Sequence, residues 1–390
     1  MSFDQPVDRR SVGATKWDLL ASAIGVEAAD ALPMWVADMD FPPGEFLQRA
    51  VTGVRDGGFY GYFSTLPHFQ QAVAGWMADR HGWQADPGHV IATHGLGNAI
   101  AMCLQTYTAP GDEIAILTPV YHEFAAKVRR NRREVRELPL AIGADRRFAL
   151  DFERWEGMLS GRERMLVLSS PHNPAGRIWT PDEQRALADF CARHGLLLLC
   201  DEIHHDLVFP GERHVPFPVA VPDAMDRTVI LGAASKTFNI AGARTGYAII
   251  PDEGLRTRFA ACVTALDIQP NRFGVEMTRA AYSPEGAAWV DALVDYLAGN
   301  ARTFAEGVAR IPGLAAMPMQ STYLAWVDFA PLGLSREELQ KRVLGNARIG
   351  PSPGPPFGTG GELAMRFNLG TRRAHVDEAV ARLQRAFADL

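Results

Sequence analysis

Arginine outnumbers lysine so heavily in this chain that few amines are available for chemistry: Lys16, Lys127, Lys236 and Lys341 are the only lysines among 39 basic residues. Arginine does not give up its proton, so a reaction needing a neutral amine must draw on those four. Lys236 stands apart. It follows an apolar run, Thr228–Leu231, and the small residues Gly232, Ala233, Ala234 and Ser235, a setting that strips water from an amine and lowers its pKa. Lys127 in a basic helical stretch, Lys341 in a terminal helix and Lys16 beside Trp17 lack that signature. Other chemically able groups also stand just beyond apolar runs. Asp201 closes Leu196–Cys200, and a carboxylate at the end of a buried strand needs a partner, such as a cation or a protonated ring nitrogen. Tyr121, behind Thr118-Pro119, offers an aromatic face to a flat ligand, although packing alone would account for it. Asn173, between Pro171 and Pro174, is explained equally by turn chemistry. Gly95-Leu96-Gly97 opens a helix-like segment, where bare N–H groups and the positive helix end suit a phosphate. Arg244, eight residues after Lys236, could fork onto the same anion. The neighbours His204 and His205 invite a metal reading, but adjacent residues of a strand point to opposite faces, so no metal is expected.

The elements that must position these groups alternate. Apolar runs at Val90–Thr93, Glu113–Leu117, Met165–Ser169, Leu196–Asp201, Thr228–Leu231 and Arg244–Ile250 are separated by segments of helical period, among them Pro181–Arg193 with Thr180 as its N-cap. Runs such as Leu196–Cys200, apolar on both faces, suit central parallel strands covered by helices. This predicts a doubly wound α/β domain over residues 48–285. Helical stretches at Ala287–Arg310, Ser335–Leu344 and Ala374–Leu390, with strands near Ser321–Phe329 and Ala364–Leu369, predict a smaller α+β domain from 286–390, joined by residues 1–47. Gly350–Gly361 is rich enough in Pro and Gly to be read as an irregular loop. In doubly wound sheets ligands bind beyond the carboxyl ends of the strands, where Gly95, Tyr121, Asn173, Asp201 and Lys236 fall and to which Arg244 could return.

Composition narrows the classes. A chain of 390 residues with 47% hydrophobic and 22% charged residues has the make-up of a globular protein large enough for two domains. A net charge of −6 with scattered signs gives no footprint for nucleic acid or anionic membrane. No apolar run nears the ~18 residues of a membrane span, and the first residues show no signal-like apolar stretch. Cys103, Cys191, Cys200 and Cys262 fall at unrelated spacings, indicating neither a disulfide framework nor a zinc knuckle. A cytoplasmic protein is expected.

A phosphate cradle, a stacking ring, a carboxylate for a pyridinium nitrogen and a Schiff-base lysine, in order at successive strand ends, are together the demands of pyridoxal phosphate. The chain resembles the fold-type-I pyridoxal-phosphate enzymes of the class I/II aminotransferase superfamily, and more narrowly the MalY/PatB branch of cystathionine β-lyases and carbon–sulfur lyases. The matching stretches are DRRSVGATKWD (8–18), LPMWVADMDFP (32–42), FYGYF (59–63), TPVYHEF (118–124), SSPHNPAGRIWT (169–180), DEIHHDL (201–207), SKTFNIAG (235–242) and QSTYLAWVDF (320–329).

The resemblance implies the transferase fold of that group, with a mostly parallel seven-stranded sheet, and assigns roles. Lys236 bonds the cofactor and moves protons, Asp201 pairs with the ring nitrogen, Asn173 contacts the phenolic oxygen and Tyr121 stacks on the ring. Gly95, Leu96, Gly97, Ser235 and Arg244 hold the phosphate, with Tyr62 reaching the partner's phosphate across a homodimer interface. His204 stands beside the cofactor where transaminases usually place a tyrosine. Arg366 takes the substrate carboxylate, helped by the backbone at Ala37 and Asp38. Ala233, His122 and the segment after Arg366 depart from the more usual residues. The implied reaction is α,β-elimination of cystathionine or a related S-substituted cysteine to a thiol, pyruvate and ammonia. Transamination is the alternative, and a regulatory role of the fold without catalysis is a third reading.

Overall fold

The computed structural model describes residues 3–390. A seven-stranded sheet runs in the order 90–93, 246–249, 228–232, 197–201, 163–169, 113–116, 134–137, and every neighbouring pair is parallel except those made by Gly246–Ile249. Its central strands are apolar between their ends because both faces are covered. Met165, Val167, Leu199, Val229 and Leu231 join one core, while Leu166, Leu168, Leu198, Cys200 and Ile230 join the other. That alternation is the period of two that a strand imposes.

Strand register brings the chemistry to one edge. Ser169 lies opposite Asp201, and Asp201 opposite Leu231, so the segments holding Asn173, Asp201 and Lys236 leave the sheet side by side. Gly246–Ile249 runs the other way, and its beginning pairs Gly246 with Thr93. Arg244, in the left-handed turn before it at φ 49°, is thereby returned to the same edge. The strand is shorter than the expected Arg244–Ile250 because that turn occupies its first two residues. The helix Pro181–Arg193 begins at a capping box in which the Thr180 hydroxyl accepts from the Glu183 N–H and the Glu183 carboxylate from the Thr180 N–H.

A second sheet, in the order 32–34, 349–353, 364–368, 324–328, joins the N-terminal segment to the C-terminal strands. The strand Ile349–Pro353 corrects the expectation of an irregular loop over Gly350–Gly361. Pro351 and Pro353 occupy alternate positions, so the N–H groups they lack fall on one side of the strand only. Phe357, in the short turn Pro355–Phe357, is buried against Trp326. Another strand, Glu134–Glu137, completes the large sheet at its edge, where half-exposed charged residues carry no apolar pattern to announce it. Among the described residues no helix is long and apolar enough to cross a membrane.

Candidate active site

Between the edge of the large sheet and the second sheet lies a cavity of about 490 Å³. Its floor carries Lys236, whose Nζ donates to the Ala37 carbonyl oxygen at 2.6 Å. Burial, and then the positive charge of Arg366, lower the Lys236 pKa to about 8. Asp201 lines the same floor. Its Oδ1 accepts from the Ile203 N–H at 3.0 Å, and burial raises its pKa to about 7 despite that bond. An amine and a carboxyl group are thus both held near the point where a proton is easily gained or lost.

The walls come from both sheets. Arg366 stands opposite Ser352 and Trp326 in its strand register. It donates from Nη1 to the Asn173 Oδ1 at 3.0 Å and from Nη2 to the Trp35 carbonyl at 2.7 Å and the Ser352 hydroxyl at 3.0 Å. Its guanidinium lies over the Phe357 ring at 5.1 Å, its Nε is buried without a partner, and no carboxylate pairs with it among the described residues. Burial lowers its pKa to about 10. Asn368, in the same strand, donates to the carbonyls of Val36 and Asp38 and fixes the segment that bears Trp35 and Ala37.

Gly95, Leu96 and Gly97 form the third wall at the start of the helix Leu96–Tyr107. Gly95 has φ 80°, a left-handed conformation costly to other residues. Gly246 lets this turn approach: a Cβ there would meet the Leu96 Cδ1 at 2.9 Å and the Gly95 backbone at 3.3 Å. Ser235 and Arg244 complete the wall, together with Tyr121, whose pKa is raised by burial. His204 borders the floor, its ring held neutral by burial with the pKa near 3.

The structure therefore gathers Gly95, Leu96, Gly97, Tyr121, Asn173, Asp201, His204, Ser235, Lys236, Arg244, Arg366 and Ala37 around one cavity. Asp38 and Tyr62 stand outside it; Asp38 is held by other partners. Its carboxylate pairs with Arg9 at 2.8 Å, its N–H donates to Val36 and its carbonyl accepts from Asn368, and it does not line the cavity. Tyr62 is fully exposed and stands away from the cavity of its own chain. His204 and His205 do part company, but in a turn beyond the strand that ends at Asp201 rather than within a strand.

Several residues at the cavity or packed behind it lay outside the sequence expectation. Tyr323 donates its hydroxyl to the Ala37 carbonyl at 3.1 Å, sharing that acceptor with Lys236. Lys127 reaches the cavity beside Gly97 and is tied to Glu123 at 2.7 Å, so a second amino group is present but engaged in an ion pair. Lys16, which looked unremarkable, is wholly buried with its Nζ 2.8 Å from the Asp40 Oδ2. The stretch around Trp35 held the signal for one wall, and that around Tyr323 for the residue supporting Ala37 from behind.

The family model for aminotransferases of class I and II matches residues 49–383. Cystathionine beta-lyase PatB of Bacillus subtilis (strain 168) is 37% identical, with all of both chains covered. Protein MalY of Escherichia coli (strain K12) is 32% identical over 98% of this chain and 97% of its own. Cystalysin from Treponema denticola, whose crystal structure contains a pyridoxal 5'-phosphate cofactor, superimposes with a TM-score of 0.93 at 30% identity, covering 100% of this chain and 99% of that one. Two sheets that close on a lysine, and likeness running the full length of the chain, have one consequence: this protein belongs to the class I and II aminotransferase family.

Proposed function

We propose that this protein is a pyridoxal-phosphate-dependent carbon–sulfur β-lyase that splits cystathionine or a related S-substituted cysteine, with water, to a thiol, pyruvate and ammonia. The observation that carries the reading is the placement of Lys236, Asp201 and an Arg366 without a carboxylate partner around one cavity. The full-length likeness to cystathionine beta-lyase PatB supports elimination over other chemistry of the family.

The residues present fit the cofactor. The Gly95 turn and helix start offer N–H groups with Ser235 and Arg244 alongside, a built anion cradle. Asp201 is a buried carboxylate lacking a cation, which a protonated ring nitrogen would supply. Tyr121 would cover the ring, Asn173 would meet its phenolic oxygen, and His204, neutral, would border it without adding charge. Pyridoxal phosphate, when bound, supplies an aldehyde for amines and a ring that accepts the electrons released at the substrate Cα.

The chain supplies the rest. Arg366, its planar fork already oriented by Asn173, Trp35 and Ser352, takes the substrate carboxylate and fixes which bond at Cα faces the floor. Lys236, with its pKa lowered to about 8, presents a neutral Nζ that removes the Cα proton. Asp201 keeps a proton on the ring nitrogen and so maintains the pull on those electrons. The Ala37 carbonyl holds Nζ in place between events. The protein is read as a cytoplasmic homodimer with Tyr62 reaching the partner's phosphate site; exposed Phe59, Tyr60 and Tyr62 support the interface and four free cysteines the compartment.

Incubation of the purified enzyme with cystathionine and no keto acid tests the activity. Release of free thiol and pyruvate is the expected result. Product formed only after a keto acid is added would replace elimination with transamination.

A further inference from the structure

The turn after Asp201 sends His204 into the active-site cavity and His205 away from it, into a separate buried cluster with Asp206 and with His81 from the helix Leu66–His81. One ligand atom from each of His81, His205 and Asp206 lies within 4.8 Å of the other two. The His81 Nε2 is 2.8 Å from the Asp206 Oδ1, and the His205 Nε2 is 3.5 Å from the Asp206 Oδ2. Both ring nitrogens of His205 are buried without a hydrogen-bond partner, as are both of His214 on the same wall. Buried imidazoles left this way are costly unless a ligand completes them.

We propose that His81, His205 and Asp206 bind one divalent first-row transition-metal ion of the zinc class. Two imidazoles and a carboxylate suit such an ion, whereas magnesium and calcium favour oxygen alone. Bonds of about 2.0–2.1 Å in a tetrahedral site place ligand atoms about 3.4 Å apart, and the Asp206 oxygens already stand 2.8 Å and 3.5 Å from the two imidazoles. The carboxylate is already oriented by outer partners: Oδ1 accepts from the Trp76 indole N–H at 2.9 Å and Oδ2 from the Thr237 hydroxyl at 2.9 Å. The three residues line a cavity of about 440 Å³ in which Glu212, Asp291 and Asp295 outnumber Arg80 and Arg213, which gives a cation a path of favourable charge. Arg80 opposes entry, its Nε standing 3.7 Å from the Asp206 Oδ1, but its Nη2 is drawn to Asp291 at 2.9 Å. Binding displaces this long contact, moves the His81 proton from Nε2 to Nδ1 and releases to solvent any second proton that His205 carries beside Asp206; no group changes oxidation state.

Holoenzyme dialysed against a chelator and then titrated with zinc chloride in a calorimeter takes up one tightly held equivalent per chain. X-ray absorption of that wild-type sample shows two imidazole nitrogens and a carboxylate oxygen at about 2.0–2.2 Å. His205→Asn weakens zinc by at least the ~10–100-fold that loss of an outer partner costs, and His68→Asn, on the exposed side of the same helix, leaves it unchanged; thermal melts report folding of both. A wild-type protein that retains no zinc, a shell lacking two imidazoles, or unchanged affinity in folded His205→Asn would overturn the site. Should His205→Asn fail to fold, the wild-type spectrum decides alone.

Discussion

The Lys236 Nζ and the Ala37 carbonyl oxygen, 199 residues apart in the chain, are joined by a hydrogen bond of 2.6 Å. It spans the two sheets, because Lys236 follows the strand Thr228–Gly232 of the large one and Ala37 follows Leu32–Met34 of the small one. The amine is therefore aimed before any ligand arrives. Tyr323 strengthens the arrangement from the small-sheet side through the same acceptor.

Loading of the cofactor should consequently depend on the protonation of Lys236. Only the neutral amine can attack an aldehyde, and burial has lowered its pKa from 10.5 to about 8. The rate at which apoprotein gains visible absorbance with pyridoxal phosphate should rise tenfold per pH unit below 8 and level off above it. Lys236→Ala should gain no imine absorbance and lose thiol release by at least the ~10²–10⁴-fold that a general base contributes.

Much of this was legible in the sequence because the large sheet is parallel and buried. Strands covered on both faces are continuous apolar runs, and the residue after each run must lie at the ligand edge, which located Asn173, Asp201 and Lys236. What stayed hidden lacked that imprint. Glu134–Glu137 is an edge strand of charged residues, and Ile349–Pro353 is a strand whose prolines imitate a loop. Lys16 is buried only because Asp40, 24 residues on, folds back to meet it. The pairing of His81 with His205 depends on the helix Leu66–His81 lying against the sheet, which no local spacing reports.

Asp201 makes the apoprotein sensitive to pH. Its folded pKa, about 7, exceeds the usual 3.8, so between those values the folded state binds more protons than the unfolded one. Stability from this group is present at pH 4 and falls as the pH rises through 7. Apoprotein Asp201→Asn, which carries no charge, should melt a few degrees above wild type at pH 8, and the gap should shrink below pH 7 and close near pH 4. The same variant should bind cofactor yet release thiol at least ~10²-fold more slowly, as expected when the ring proton is no longer held.

Arg366 is a binding group oriented by neutral acceptors but without a carboxylate partner. Loss of one charge-assisted pair costs roughly 1.5–3 kcal/mol, so Arg366→Lys should lower kcat/KM by ~10–100-fold, a lysine being unable to reproduce the fork. The effect should fall mainly on KM, and the cofactor absorbance should be unchanged. Loss of that absorbance would mean that Arg366 shapes the cofactor site instead.

Lys16 should matter for stability alone. Its fully buried Nζ meets Asp40, which also accepts from Trp17 and pairs with Arg9. Breaking a buried pair by removing one partner costs about 3–5 kcal/mol, and Arg9 can offset only part of it from the opposite oxygen. Urea unfolding of Lys16→Met should show a loss near the lower end of that range, with KM for the amino acid unaltered in the folded fraction.

Tyr62 supplies the sharpest test of assembly. Its ring is wholly solvent-exposed in the single chain, and Phe59 and Tyr60 beside it are also largely exposed, while Tyr60 stacks on Phe273 at 6.2 Å. Aromatic surface gathered in this way marks a contact face. If that face meets a second copy and Tyr62 reaches the partner's phosphate cradle, Tyr62→Phe should preserve a dimer in sedimentation yet weaken cofactor retention, because only the hydroxyl is removed. The loss expected for one hydrogen bond to a charged group is ~10–100-fold in dissociation constant. Wild-type protein that sediments as a monomer while retaining cofactor would separate Tyr62 from the site altogether and assign the exposed aromatics to another contact.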